Sequence, residues 1–338
     1  MTSRDRVLAA LRGDEVDRVP ISFWGHVYHR ESSASDLVDH TVERWQRHRW
    51  DWIKLNPRKH YHVEGWGVGY RYSGVPDEKP VLRQWPVHAP ADWESIREIP
   101  HDAGALAEQV DAVRMLRARI PAEVPILATV FTPLAILGEM TEPPGLLRDS
   151  LASAPRAVEH AIEAVTRVYE RYVPELMRAG ADGLFLATVD WGARAYVTPG
   201  DLRRWSRPYD LRLLAAAGPS PYHTLHVCKR DNLLFEFADY PVGAFSWDTH
   251  APGNPSLAEA LARLPGAAMG GIAQDGALQD PRPDAALAQY RRALAETGGR
   301  RWLAAPGCSI PPTTPEGNLV ALRDEAGRTP ASQERTAR

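Results

Sequence analysis

Residues 155–189, PRAVEHAIEAVTRVYERYVPELMRAGADGLFLATV, decide the fold. Over 155–179 apolar side chains recur at three- and four-residue intervals with charges between them, the pattern of a helix lying on a sheet. The run at 183–189, GLFLATV, is too apolar to have one wet face, which suits a parallel strand covered by helices. Similar runs lie at 19–24 (VPISFW), 52–56 (WIKLN), 125–131 (PILATVF), 222–228 (YHTLHVC), 244–249 (AFSWDT), 267–273 (AAMGGIA) and 302–308 (WLAAPGC). Segments 256–264 and 283–296 read as further helices, the second after a Pro-Arg-Pro start signal. Strands alternating with helices in this number predict an α/β fold, a closed (β/α)8 TIM barrel rather than an open doubly wound sheet.

Two stretches depart from the alternation. Residues 61–85, YHVEGWGVGYRYSGVPDEKPVLRQW, are rich in Gly, Pro, Tyr and Trp and predict a β-hairpin insertion after the second strand, placed to act as a lid. The polar residues 327–338 read as a frayed tail, leaving 1–326 as a single barrel domain without internal repeats or a linker.

Composition narrows the function. The 338 residues are 44% hydrophobic, 25% charged and 8% aromatic, with a formal net charge of -3. No apolar run reaches membrane-spanning length, and the first twenty residues lack the unbroken apolar core of a secretory signal, so the expected home is cytoplasmic. A near-neutral balance without a Lys/Arg cluster gives no reason to expect nucleic acid or an anionic membrane as partner. The two cysteines, Cys228 and Cys308, are either buried small hydrophobes or working ligands, since a cytosolic chain of this size needs no disulfide.

In a barrel the reactive groups sit where strands run out into the following loops. His226 and Cys228 are two apart at one predicted strand end and share a face, Asp248 follows the next strand, and Cys308 ends the last. If that face is the lumen, one His and two Cys meet at the mouth. Such a set suits a borderline-soft ion, zinc rather than magnesium or calcium, with one tetrahedral position left for substrate. Asp190, Trp191 and Tyr196, beyond the 183–189 run, are expected to line the pocket, although Asp190 equally suits a loop cap. Gln274 and Asp275 end another strand and either bind substrate or fix their loop. Asn56 and Arg58 close the 52–56 strand, where Arg58 holds an acidic part of the substrate or forms an ion pair. Trp24, Trp66 and Trp191 are candidates for stacking on a flat or cationic substrate, or for core packing. His26, His29, His60 and His62 are read as pocket or loop residues, because no acid or thiol accompanies them at ligand spacing. GWGVG at 65–69 lacks the βαβ context of a dinucleotide fingerprint.

Four segments carry a family resemblance: 6–20 (RVLAALRGDEVDRVP), 179–210 (AGADGLFLATVDWGARAYVTPGDLRRWSRPYD), 270–278 (GGIAQDGAL) and 305–322 (APGCSIPPTTPEGNLVAL). Together they resemble the uroporphyrinogen decarboxylase superfamily, a TIM-barrel family, across nearly the whole length. The last segment matches that family's Gly-X-Gly-Ile-X-Pro-X-Thr-Pro signature, with Ser309 in place of the second Gly. True decarboxylases resemble one another in an N-terminal Arg-Gln-Ala-Gly-Arg stretch that holds carboxylates. Here 22–33 reads SFWGHVYHRESS, with Arg30 alone, and Cys308 stands where they carry His. The HVC and GCSIPPTTP segments instead resemble the zinc branch, which includes the corrinoid:coenzyme M methyltransferases and, more distantly, cobalamin-independent methionine synthase. That resemblance assigns zinc to His226, Cys228 and Cys308, with Asp248 completing the shell or orienting His226.

The implied activity is zinc-dependent methyl or alkyl transfer, in which a small-molecule thiol acceptor is activated as a zinc thiolate and attacks a methyl donor such as a methylcorrinoid, with Asp248 and Asp190 as the acidic residues of the site. A separate corrinoid protein is the partner such a donor implies. Two other classes stay open: a porphyrinogen-type decarboxylase, and a non-catalytic corrinoid- or ligand-binding barrel.

Overall fold

The computed structural model describes residues 1–142 and 145–328. Its strands are β1 (Ile53–Leu55), β2 (Gly69–Arg71), β3 (Val81–Gln84), β4 (Ile126–Phe131), β5 (Gly183–Ala187), β6 (Thr224–His226), β7 (Ala244–Ser246), β8 (Ala267–Ile272) and β9 (Trp302–Pro306). Seven form one curled parallel sheet in the order β1-β4-β5-β6-β7-β8-β9, so the fold is α/β and TIM-barrel-like. Helices follow the strands, among them Pro155–Arg178, Leu257–Arg263 and Asp284–Thr297. Among the described residues no helix is long and apolar enough to cross a membrane.

Alternation along each strand explains the unbroken apolar runs. On β5, Phe185 and Ala187 join Leu127, Met269 and Leu303 in an inner cluster, while Leu184 and Leu186 join the larger cluster beneath the helices. Both faces of the sheet are therefore dry. The N-terminal helix Ser3–Arg12 adds Val7, Ala9 and Ala10 to the inner cluster, against β8 and β9.

The apolar run at 19–24 predicts a full strand, but the structure makes a shorter connection there. Ile21 bridges Ala304 of β9 in parallel, Ala304 N–H donates to Pro20 O (2.9 Å), and on the other side Asp51 N–H donates to Ile21 O (3.0 Å). The segment thus lies between the two edges of the sheet. It forms no long ladder because Pro20 has no N–H and because the Ile21 N–H goes to the Asp51 carboxylate (2.9 Å). That carboxylate is fully buried and also takes Arg6 and Arg18, each at 2.7 Å. One side chain thereby ties the N-terminal helix, the 19–24 segment and the start of β1 together.

Within 61–85, Tyr61–Glu64 is a helical turn, and the antiparallel pairing is confined to β2 with β3. Tyr70 of β2 donates to Glu64 (2.6 Å), which also pairs with Arg58 (2.6 Å). At the other end of the chain, helix Glu316–Arg328 runs past the expected domain limit at 326, and residues 329–338 of the expected tail lie outside the described residues.

Removing one partner of a buried ion pair leaves the others unpaired, at a cost of about 3–5 kcal/mol. Asp51→Ala is therefore expected to lose that much stability in urea unfolding. A loss under about 1 kcal/mol, in the range of a surface pair, would contradict the closing role given to Asp51.

Candidate metal centre

Three side chains from two distant stretches converge at the C-terminal rim of the sheet. His226 ends β6, and the outward neighbour Leu225 fixes its side as inward, where its ring stacks on Phe185 (centroids 5.2 Å apart). The ladder continues past the strand through Val227 N–H to Ser246 O (2.9 Å), carrying Cys228 onto the same face as His226. The chain then turns sharply, with Lys229 and Asp231 at positive φ (70° and 49°) and Asn254 Nδ2–H donating to Lys229 O (2.8 Å).

Cys308 arrives from β9 by way of Gly307. A Cβ at 307 would lie 2.6 Å from Gln274 Oε1 and 2.7 Å from Asp248 Cα, so only glycine lets the chain pass that close. The ligating atoms of His226, Cys228 and Cys308 all lie within 4.8 Å of one another. His226 is buried and both cysteines are half-buried and free. Ser246 Oγ lies 3.0 Å from His226 Nδ1, which leaves Nε2 as the free nitrogen of the ring.

The two sulfurs are electrostatically unequal. A hydrogen bond from Cys228 holds Cys308 well below the ordinary thiol range, helped by the His226 imidazole and the Ser309 N–H and opposed by burial. Cys228 is pushed well above that range by the same shared hydrogen bond, by burial and by the neighbouring sulfur. Two thiols and an imidazole this close together are a donor set suited to a soft cation.

The sulfurs open into a cavity of about 130 Å³. Trp24, Asn56 and Arg58 line it, as do Lys54, Phe131, Phe185 and Val189, which sequence reading did not single out. Lys54 carries the most consequence. It is a charged residue inside an apolar strand, two positions from Asn56 and on the same face, and that placement was the available signal. Its ammonium donates to Asn56 Oδ1 and sits 5.0 Å from the Phe185 ring centroid. Burial pushes its pKa down to about 8, opposed by Cys308 and Cys228, so it stays charged at neutral pH. Ser309, next to Cys308, donates to the same Asn56 Oδ1 (3.3 Å), tying the Cys308 loop to β1.

The remaining candidates are placed differently. Asp248 is engaged by Gln274 Nε2–H (3.0 Å) and the His250 N–H (2.9 Å), while Ser246 is the partner of His226. Asp190 pairs with Lys229 (2.8 Å), bracing the turn after Cys228. Trp191 is buried against Gly138, where a Cβ would meet its Nε1 at 1.8 Å. Trp191, Tyr196, Gln274 and Asp275 do not line the thiol cavity. Trp66 packs on Tyr169 in the core beneath the helices. Arg58 is spent on Glu64 (2.6 Å) and Glu108 (3.0 Å). Three of the four histidines do have acids: Glu31 meets His26 at 2.9 Å, and Glu139 meets His60 at 2.9 Å and His62 at 3.1 Å. Glu139 lies far away in sequence, which is why spacing could not reveal it.

Known proteins share this architecture. A family model described as Uroporphyrinogen decarboxylase (URO-D) matches residues 2–328. The uroporphyrinogen decarboxylase of Geobacter sp. (strain M21) is 24% identical over 246 residues, spanning 71% of this chain and 70% of its own. The methylcobamide:CoM methyltransferase MtaA of Methanosarcina barkeri is 24% identical over 354 residues, spanning 96% and 98%. Among solved structures, a methyltransferase from Methanosarcina mazei superposes with a TM-score of 0.82 at 20% identity, covering 97% of this chain and 98% of its own.

The inequality of the sulfurs has a direct readout. In chelator-treated protein at pH 6.5, iodoacetamide is expected to modify Cys308 before Cys228, because the thiolate is the reacting form. Equal or reversed labelling, read by peptide mass spectrometry, would contradict the assignment.

Proposed function

The chain belongs to the uroporphyrinogen decarboxylase (URO-D) family, and within that family we propose that it is a zinc-dependent methyl or alkyl transferase with a thiol acceptor. The observation that carries the reading is the convergence of His226, Cys228 and Cys308 within 4.8 Å beside a cavity lined by Lys54 and Phe185. The full-length likeness to a methylcobamide:CoM methyltransferase supports methyl transfer, and a methylcorrinoid, delivered by a corrinoid protein at the rim, is the donor we favour. We read residues 19–24 as the eighth stave of a closed single-domain barrel, and β2–β3 as a cover at its mouth.

His226, Cys228 and Cys308 would hold the zinc. When bound, the ion would supply deprotonation of the acceptor thiol and a fixed position for its sulfur. The rest is done by the chain. Ser246 fixes the His226 ring so that Nε2 faces the sulfurs. Lys54 brings a buried positive charge to the same cavity, which lowers the cost of gathering anionic sulfur there. Phe131, Phe185 and Trp24 give the cavity apolar walls that keep bulk water from the nucleophile. In the transfer, the acceptor sulfur forms its bond to the methyl carbon as the bond from that carbon to its carrier breaks. The electron pair leaves with the carrier, and the thiol proton passes to solvent. Asp190, through Lys229, would hold the Cys228 turn in place, and Asp248 would do the same for the Gly307 turn.

The decarboxylase reading is weaker because Arg30 is paired with Glu43 (2.5 Å) and does not line the thiol cavity.

Purified protein is expected to carry one zinc per chain, and Cys308→Ser to carry far less. Undiminished zinc in that variant would remove Cys308 from the ligand set. Ser246→Ala is expected to weaken zinc binding by about 10- to 100-fold in chelator competition while leaving the fold intact. Incubated with methylcobalamin and a panel of thiols, the wild type is expected to demethylate the corrinoid, as followed by its visible spectrum. A zinc-loaded protein inert towards every thiol would argue for a binding role instead.

A further inference from the structure

The loop after β1 carries a cluster that the transfer chemistry above leaves unused. His60 lines the thiol cavity, and its Nδ1 lies 2.9 Å from Glu139 Oε2. His62 Nε2 lies 3.1 Å from the same oxygen, and Lys59 stands 3.7 Å from Glu139 Oε1. Burial pushes the Glu139 carboxyl up, but His62, Lys59 and His60 together hold it well below the ordinary range, so it is an anion. An ionised carboxylate only accepts hydrogen bonds, so the hydrogen of His60 sits on Nδ1 and Nε2 keeps its lone pair. That Nε2 makes no hydrogen bond among the described residues.

The placement is built into the backbone. His60 takes φ 66°, uncommon for a residue with a side chain, and caps the helical turn Tyr61–Glu64. The Tyr61 hydroxyl donates to Thr129 O of β4 (2.8 Å), and the His62 ring packs on Phe131 at the end of β4 (centroids 4.0 Å apart). The turn is thereby locked onto β4, and Glu139 follows the next helical turn, Pro133–Gly138. The Tyr70 ring of β2 stands 5.5 Å from the His60 ring. A left-handed backbone held in place by contacts on several sides is the kind of strain that clusters at working sites.

An acceptor thiol must lose its proton between walls that exclude bulk water, so the cavity needs a group able to take it. His226, Cys228 and Cys308 are the proposed zinc ligands. Lys54, with a pKa of about 8, stays charged at neutral pH, and Arg58 is held as a cation by Glu64 and Glu108. Lys59 is paired with Glu139. Burial, with Lys59 and Lys54, holds His26 below the ordinary imidazole range despite Glu31. His60 is left, with one nitrogen aimed by a carboxylate and the other free. We propose that His60 is the catalytic proton acceptor for the substrate thiol and that Glu139 is its positioning residue, an inference that rests on the transferase reading. The S–H bond breaks, the sulfur keeps the electron pair for the methyl carbon, and the His60 Nε2 lone pair forms the new N–H bond. The imidazolium keeps its Nδ1–H on Glu139, whose charge stabilises it, and then gives up the added proton to solvent at the mouth. His62, on the same oxygen, keeps Glu139 from turning away as His60 changes charge.

The test uses zinc-loaded protein and 2-mercaptoethanol, with ethylene glycol as the control that lacks a thiol. In wild type labelled with ¹⁵N-histidine, the thiol is expected to shift the His60 ring nitrogens towards imidazolium at neutral pH, and ethylene glycol to leave them unchanged. No methyl donor is present in that measurement. With methylcobalamin added, His60→Gln is expected to keep its zinc and to lose about 10²- to 10⁴-fold in demethylation rate, with the KM for the thiol little changed. Added imidazole is expected to restore part of that rate, which it would not do for a residue that only supports the fold. Glu139→Gln keeps the hydrogen bond without the charge and is expected to lose less. No protonation of His60 on adding the thiol, or a zinc-loaded His60→Gln as fast as wild type, overturns the proposal. A wild type that carries no zinc or is inert towards every thiol sinks the transferase reading and this inference with it. A wild type that demethylates methylcobalamin no faster than His60→Gln sinks this inference alone.

Discussion

Everything at the rim depends on the curvature of one parallel sheet. In its strand order β6 and β9 are separated by β7 and β8, which on a flat sheet would hold their axes about 14 Å apart. The donor atoms of His226, Cys228 and Cys308 nevertheless lie within 4.8 Å of one another. Curling brings the strand ends inward, and the 19–24 segment lies between the edges, hydrogen-bonded to β9 on one side and to Asp51, just before β1, on the other. Asp51 anchors that segment at the opposite end from the sulfurs, so a buried carboxylate near the base bears on the geometry of the mouth.

The mouth itself is organised by charge. Two sulfurs sit near a buried ammonium, and Asn56 accepts both from that ammonium and from the residue after Cys308. A short path of hydrogen bonds therefore joins β1 to the loop after β9.

Much of this was legible in the sequence, for definite reasons. Strands dry on both faces read as unbroken apolar runs, so β1 and β4 to β9 all fall inside the runs expected of them. The two-residue spacing of His226 and Cys228 fixed their common face. Other features depend on contacts that spacing does not encode. The shortness of the 19–24 connection follows from Pro20 and from a hydrogen bond to Asp51, thirty residues on in the chain. Trp191 sits in the helical turn after β5 (Val189–Gly192), yet it turns into the space left by Gly138 instead of into the cavity. Glu139 reaches His60 and His62 from the end of the helical turn after β4, Pro133–Gly138. Lys54 could have been read, since a lone charge within an apolar strand demands an explanation.

The most direct measurement is X-ray absorption at the zinc edge of the purified protein. The account predicts two sulfur scatterers at about 2.3 Å and one imidazole nitrogen at about 2.0 Å, with both sulfurs lost when Cys228 and Cys308 are replaced together. A shell of oxygen and nitrogen alone, or one unchanged in the double variant, would contradict it.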